Sequence, residues 1–79
     1  MPRYYFHGVR ANTCIRDAEG TELHGLAEAR AEAIQDARTL MSLAILEGVD
    51  ISGRSIEICD EGGNIVLRLP FTEAVRRGD

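Results

Sequence analysis

The clearest pattern in this chain is a series of apolar residues that recur every three or four positions over residues 26–47. The recurring positions are Leu26, Ala29, Ala33, Ala37, Leu40 and Ala44. Polar side chains occupy the opposite face, Gly25 stands at the N-cap position, and Gly48 stands where many helices end. This spacing predicts one long amphipathic helix.

Shorter alternating segments before the helix predict β-strands. Residues 3–9 place Tyr4 and Phe6 on one face, while Tyr5, His7 and Val9 lie on the other. A turn at 11–13 leads into a short second strand, and a tight turn at 17–20 follows. We therefore expect the second strand to be broken or bulged.

After the helix, residues 55–59 and 65–69 alternate on either side of a turn cluster, which predicts a β-hairpin. On its buried face we expect Ile56, Ile58, Ile65, Leu67 and Leu69, and on its open face Glu57, Val66 and Arg68. The predicted fold class is α+β with the order ββαββ: a mostly antiparallel four-stranded sheet with one long helix packed on one face. We predict a single domain over residues 1–79, with 76–79 as a flexible tail.

The predicted helix is too long for the predicted sheet. About 22 helical residues span about 33 Å, whereas four short strands form a sheet of only about 15 by 20 Å. Leu43 and Leu46 also fall outside the apolar stripe, so the C-terminal half of the helix would expose apolar surface, as partner surfaces do. We expect a homodimer; the alternative is that Val49, Ile51, Phe71 and Val75 cover this end within one chain.

Composition narrows the function classes. The chain has 79 residues, a formal net charge of −4 and nine basic residues, all of them Arg. These arginines are scattered along the sequence, which argues against unaided nucleic-acid binding. The absence of a signal-like segment or a long apolar run favours a cytoplasmic protein that does not enter a membrane.

Two histidines and two cysteines are the residues with metal-binding chemistry. His7, His24, Cys14 and Cys59 lack the closely spaced ligand pairs of structural zinc sites, so we predict no metal and no cofactor. The two cysteines are expected to remain free thiols.

His7 is the one candidate for acid–base chemistry. It could act as a general base beside Glu57 or Asp60 on a neighbouring strand. The favoured alternative is a polar residue on the open sheet face, hydrogen-bonded across strands, because no nucleophile motif accompanies it. We assign no catalytic residue and regard an enzyme as the less favoured class.

Several segments resemble a family of short bacterial domains of unknown function. The matching stretches are MPRYYFH, RDAEGTEL, LAEARAEAI, GRSIEICDEGGNIVLRLPF and TEAV. The family typically has a Pro-Arg-Tyr-Phe-Phe-His-like first strand, a D-x-x-G turn, an A-R-A-E-A helix and the ending D-E-x-G-x-V-V-L-x-x-P-F. Gly25 departs from the Asp that commonly caps the helix in this family.

The resemblance implies no activity, substrate or catalytic residue. We predict a non-enzymatic protein-interaction or regulatory domain that acts as a homodimer. A looser similarity in fold to HicB-type antitoxin domains gives the alternative of a partner-binding regulator. The candidate interaction surface comprises Leu43, Leu46, Tyr5, His7, Val66 and Arg68.

Overall fold

A computed structural model describes residues 1–78 of the chain. Five strands, one α-helix and one 3-10 helix follow each other along the sequence. They are β1 (Arg3–Arg10), β2 (Thr13–Ile15), β3 (Thr21–Glu22), α1 (Leu26–Leu46), β4 (Ser55–Cys59), β5 (Ile65–Pro70) and the 3-10 helix Phe71–Ala74. The predicted tail falls partly on Asp79, which lies outside the described residues.

The sheet confirms the predicted α+β class. Its strand order is β2-β1-β4-β5, every neighbouring pair is antiparallel, and β3 pairs with β1 on the same edge as β2. The region expected to hold a broken second strand thus forms two short strands, and β1 has a gap between their pairing sites.

The core lies between the inner face of the sheet and the alanine stripe of α1. Ala29, Ala33 and Ala37 are fully buried, because small side chains let the helix lie close to the strands. The buried cluster also contains Ile51, Ile56, Ile58, Leu69, Phe71 and Ala74. Four of its nine residues are alanine, so the core has little side-chain volume.

The two ends of α1 are formed differently. Gly25 at the N-cap is fully extended and gives no side-chain cap. At the C-terminus, Gly48 has φ +79°, its N–H donates to Ile45 O at 2.9 Å, and Val49 N–H donates to Ala44 O at 2.8 Å. This pair of bonds is a Schellman motif, which ends the helix where its sequence predicts.

The β4–β5 hairpin differs from the prediction at one residue. Ile56 lies opposite Leu69 and Ile58 opposite Leu67, as expected, but Cys59 lies opposite Ile65. The register shift leaves Val66 as an extra residue on β5, and a one-residue shift moves a side chain to the other face. Ile65 is consequently exposed, and its predicted place on the buried face is wrong.

The 3-10 helix packs against α1 after Pro70 ends the sheet. Arg38 Nε donates to Ala74 O at 2.6 Å, and Phe71 N–H donates to Arg54 O at 2.9 Å. Phe71 is buried as a result. Within residues 1–78, no helix has both the length and the apolar character that crossing a bilayer requires.

Candidate functional site

The C-terminal end of α1 exposes a cluster of large apolar side chains. Leu43, Ile45 and Leu46 have 57%, 64% and 83% of their surface accessible, and Val49 and Val75 beside them are about half exposed. We refer to these five residues as the helix-end surface. Successive residues of an α-helix are about 100° apart, so Leu43 and Ile45 project from opposite flanks of α1 and Leu46 lies between them on the exposed side. Apolar side chains around the exposed side of a helix end are typical of a surface that contacts a partner.

Cover from within the chain is incomplete. Of the four residues proposed to fold over this end, Ile51 and Phe71 are buried, whereas Val49 and Val75 are not. A shallow depression of about 550 Å³ remains between α1 and Val75, lined by Arg38, Met41, Ser42, Ile45 and Leu46. Residues of the same chain therefore cover only part of the C-terminal end of α1, and Ile45 and Leu46 remain accessible.

The other predicted site residues lie on the opposite side of the sheet. His7, Glu57 and Arg68 form one cross-strand row, in which Arg68 donates to Glu57 Oε2 from Nη2 at 2.6 Å and from Nε at 3.1 Å. The Tyr5 ring stacks near His7 with centroids 6.5 Å apart. The six predicted residues therefore belong to two separate surfaces, with Val66 at the bulge.

His7 is covered by the loop that connects β2 to β3. Its side chain is only 5% exposed, and its Nδ1 accepts a hydrogen bond from Asp17 N–H at 2.9 Å. In return, Asp17 Oδ2 accepts the Phe6 N–H at 3.1 Å. The carboxylate thus stands where a strand carbonyl would be, in the gap between β2 and β3 along β1.

The same carboxylate organises the tight turn at 17–20. Asp17 Oδ1 accepts the N–H groups of Glu19 and Gly20 at 3.2 and 3.1 Å. Burial acts to raise the pKa of Asp17, but its three backbone donors and nearby His7 outweigh that effect and lower the pKa below its usual value.

The turn requires glycine at position 20. Its φ is +70°, and a Cβ there would lie 2.9 Å from Tyr4 O, from Arg3 Cγ and from Tyr5 Cε2. Both the backbone conformation and the available space therefore require glycine.

These contacts leave His7 poorly placed as a general base. Nδ1 accepts the backbone N–H of Asp17, so the lone pair of that nitrogen is already used in a hydrogen bond. Glu57 faces His7 in register, but its carboxylate is bonded to Arg68, and Asp60 accepts the N–H groups of Gly62 and Asn64. The alternative interpretation holds only in part: His7 lies on the outer face of the sheet, but it is covered by the loop and bonded to Asp17 N–H instead of to a neighbouring strand, so its side chain is not part of an accessible interaction surface.

The thiols and His24 form no shared site. Cys14 is an exposed free thiol on β2 and Cys59 a buried one on β4, where burial and the charge of Glu57 raise its pKa. Within residues 1–78, no three His, Cys, Asp or Glu side chains come together as metal ligands would.

A groove that the sequence analysis missed lies between α1 and the β1–β2 hairpin. Its volume is about 540 Å³, and we call it the Gly8 groove. Gly8 lies on the helix-facing side of β1, in register with Ile15 and Ile56. The missing side chain leaves space beside α1, where Asp36 and Leu40 form the opposite wall.

The Gly8 groove also gathers charges that are distant in sequence. Arg10, Arg16 and Arg54 line it, although the arginines looked scattered along the chain. Asp36 faces them from the helix, and burial together with the charges of Glu32 and Asp17 raises its pKa. A glycine within a strand was the one sequence signal that could have indicated this space.

Comparison with known proteins identifies the family of this chain. The family described as Domain of unknown function (DUF6894) matches residues 3–72, which include all five strands and the helix. The chain belongs to the DUF6894 family. This confirms the resemblance to a small family of unknown function, and the Asp17–Gly20 turn lies inside the DUF6894 region. No curated protein and no solved structure matches the chain.

Proposed function

We propose that this chain is a non-enzymatic interaction domain that acts as a homodimer through its helix-end surface. The observation that carries the proposal is the exposure of Leu43, Ile45 and Leu46 around the last turns of α1. Fully burying one such side chain contributes about 1.5–3 kcal/mol. Their exposure in a small protein therefore favours an assembly that covers them.

A second copy is a suitable partner for this surface. In a symmetric dimer the same three positions are buried in both copies, so they supply six apolar side chains to the interface. The depression is predominantly apolar, with Arg38 as its charged lining residue. Two such surfaces therefore bring few like charges together when two copies meet.

The small core adds a second argument. Because four of the nine residues in the buried cluster are alanine, core packing stabilises the isolated chain less than larger side chains would. Dimerisation would add stability that rises with protein concentration, and this would offset the limited stabilisation from the core.

Sedimentation velocity over a range of protein concentrations tests the proposal. We expect the wild-type protein to shift from monomer to dimer as its concentration rises. The Leu43→Gln/Leu46→Gln variant should stay monomeric, since it keeps helix-favouring residues and removes the exposed apolar surface. Circular dichroism should show that the variant retains its fold.

A matched control changes an exposed apolar residue elsewhere. Ile65→Thr, at the start of β5, should dimerise as the wild type does. A wild-type protein that remains monomeric at every concentration would contradict the proposal. So would a double variant that dimerises as strongly as the wild type.

A further inference from the structure

The Gly8 groove has the size and chemistry of a small-molecule site. Ligand sites typically enclose roughly 300–1,000 Å³ and combine apolar walls with a few polar groups. This groove measures about 540 Å³, and Phe6, Ile15 and Leu40 supply accessible apolar surface on its walls. His7 is not a lining residue, although Asp17, whose N–H bonds to His7, is.

The charges around the groove favour an anion. Within residues 1–78, no carboxylate forms an ion pair with Arg10, Arg16 or Arg54. Asp17 also lines the groove and keeps its negative charge while it is bonded to three backbone N–H groups, so two carboxylates, Asp17 and Asp36, stand against three guanidinium groups and the groove has an excess of positive charge. Three cations thus line one groove of a protein whose formal net charge is −4.

Asp36 is the second acidic group in the groove, on the wall formed by α1. Burial and the nearby carboxylates of Glu32 and Asp17 raise its pKa, so the charged form is less favoured than in an ordinary aspartate.

We propose that the Gly8 groove binds a small organic carboxylate with an aromatic or branched apolar body. The apolar body lies against Phe6, Ile15 and Leu40, in the space that Gly8 leaves open. The carboxylate is held by the arginines, whose planar guanidinium groups match a carboxylate in geometry. This site goes beyond the proposed dimer and does not use Leu43 or Leu46.

Titration of the ¹⁵N-labelled full chain with 2-naphthoate, followed by amide NMR shifts, tests this site. We expect saturable shifts centred on Gly8, Ile15, Arg16 and Thr39. The neutral analogue 2-naphthamide should bind about tenfold more weakly, because it lacks the charge that the arginines recognise. Inorganic phosphate alone should cause no saturable shift, since it lacks the apolar body.

Gly8→Val is the blocking variant. A Cβ at Gly8 meets only the Cβ of Ile15, at an ordinary 3.9 Å, and valine favours strands. The variant should fold and lose 2-naphthoate binding. Arg16→Gln/Arg54→Gln should weaken binding about tenfold, whereas Arg30→Gln, an exposed change elsewhere on α1, should leave it unchanged.

Four results would overturn the proposal. The first is shifts centred on the helix-end surface instead of the groove. The second is equal binding of 2-naphthoate and 2-naphthamide, and the third is binding by Gly8→Val at wild-type affinity. The fourth is a shift of the groove amides, without shifts at the helix-end surface, as protein concentration rises before any probe is added; a second copy would then occupy the groove, and the dimer would not be the one proposed. If the probe fails to bind while Leu43 and Leu46 amides shift with protein concentration, the carboxylate site is wrong and the helix-end dimer is unaffected.

Discussion

Asp17 connects the loop, the edge of β1 and His7 in one small network. Its carboxylate accepts three backbone N–H groups, and its own N–H donates to His7 Nδ1. At the scale of single residues, this is the most connected polar side chain in the first part of the chain. The network explains why a short D-x-x-G sequence can hold the β2–β3 connection against β1.

We predict that Asp17→Asn lowers the free energy of unfolding by about 1–2 kcal/mol at neutral pH. Asparagine has one acceptor oxygen and presents an NH₂ donor where the second oxygen accepted a backbone N–H. Urea unfolding followed by circular dichroism measures the change. Glu73→Gln, an exposed acidic residue with no such bonds, is the control and should change stability little.

The effect of Asp17 should also depend on pH. Because its pKa is lowered in the folded protein, its contribution is fully present above the unfolded carboxyl pKa of about 4 and is lost as the pH falls through the lower native value. The stability difference between wild type and Asp17→Asn should therefore shrink in acid. An unchanged difference across that range would contradict the role assigned to the charge.

Asp36 has the opposite behaviour. Its pKa is raised, so its charge opposes folding at neutral pH, and the folded state gains relative stability as the pH falls through the raised native value. We predict that Asp36→Asn increases the free energy of unfolding by a few tenths of a kcal/mol, since the group is partly exposed and screened. Urea unfolding at neutral and acidic pH should show the gain only at neutral pH; a loss at neutral pH would be inconsistent.

The position of His7 could be predicted from alternation, but its environment could not. The sequence predicts that its side chain faces away from Tyr4 and Phe6, and the structure confirms this. The Asp17 loop that buries it depends on Gly20 fitting closely against Tyr5, a contact that no periodic pattern encodes.

At the scale of elements, α1 was the most predictable part of the fold. Its apolar spacing and flanking glycines define a helix that the structure gives as Leu26–Leu46. In the β4–β5 hairpin, the pairs Ile56–Leu69 and Ile58–Leu67 were predictable, but the register nearer the turn was not. Residues 65–69 alternate as a regular strand does, so the pattern gave no sign that Val66 forms a bulge and that Ile65 changes face.

The weak N-terminus of α1 gives a prediction at this scale. Gly25 has an extended backbone that any residue adopts, and its missing side chain would meet no atom within 4 Å. Gly25→Asp should raise the free energy of unfolding by about 0.5 kcal/mol, by capping N–H groups and complementing the helix dipole.

Thermal or urea unfolding measures this gain. Gly53→Asp is the matched control, because Gly53 also has open space but does not precede a helix. It should give no comparable stabilisation. Equal effects of the two substitutions would show that the added charge, and not capping, is responsible.

The Gly8 groove shows why some features need the folded structure. Gly8, Arg16 and Arg54 are far apart in sequence, and they come together only because β1 pairs with both β2 and β4. Their positions in the sequence gave no indication that three of the nine arginines line the same groove.

At the scale of the whole molecule, the two faces of the sheet differ in chemistry. The helix side carries the core, the Gly8 groove and the apolar helix-end surface, while the outer side carries the polar row of His7, Glu57 and Arg68. The overhang of the helix was predicted by comparing its expected length of about 33 Å with an expected sheet of about 15 by 20 Å. The molecule measures 37 Å in its longest dimension, against an expected length of about 32 Å for a 21-residue helix.

The most direct test of the proposed function is an isotope-filtered NOE measurement on a mixture of ¹³C-labelled and unlabelled protein at high concentration. Such a spectrum reports contacts between copies only. We predict NOEs between the methyl groups of Leu46 in one copy and those of Leu43 or Ile45 in the other. Intermolecular NOEs confined to the β5 edge or the outer sheet face, or none at all, would contradict a dimer formed by the helix-end surface.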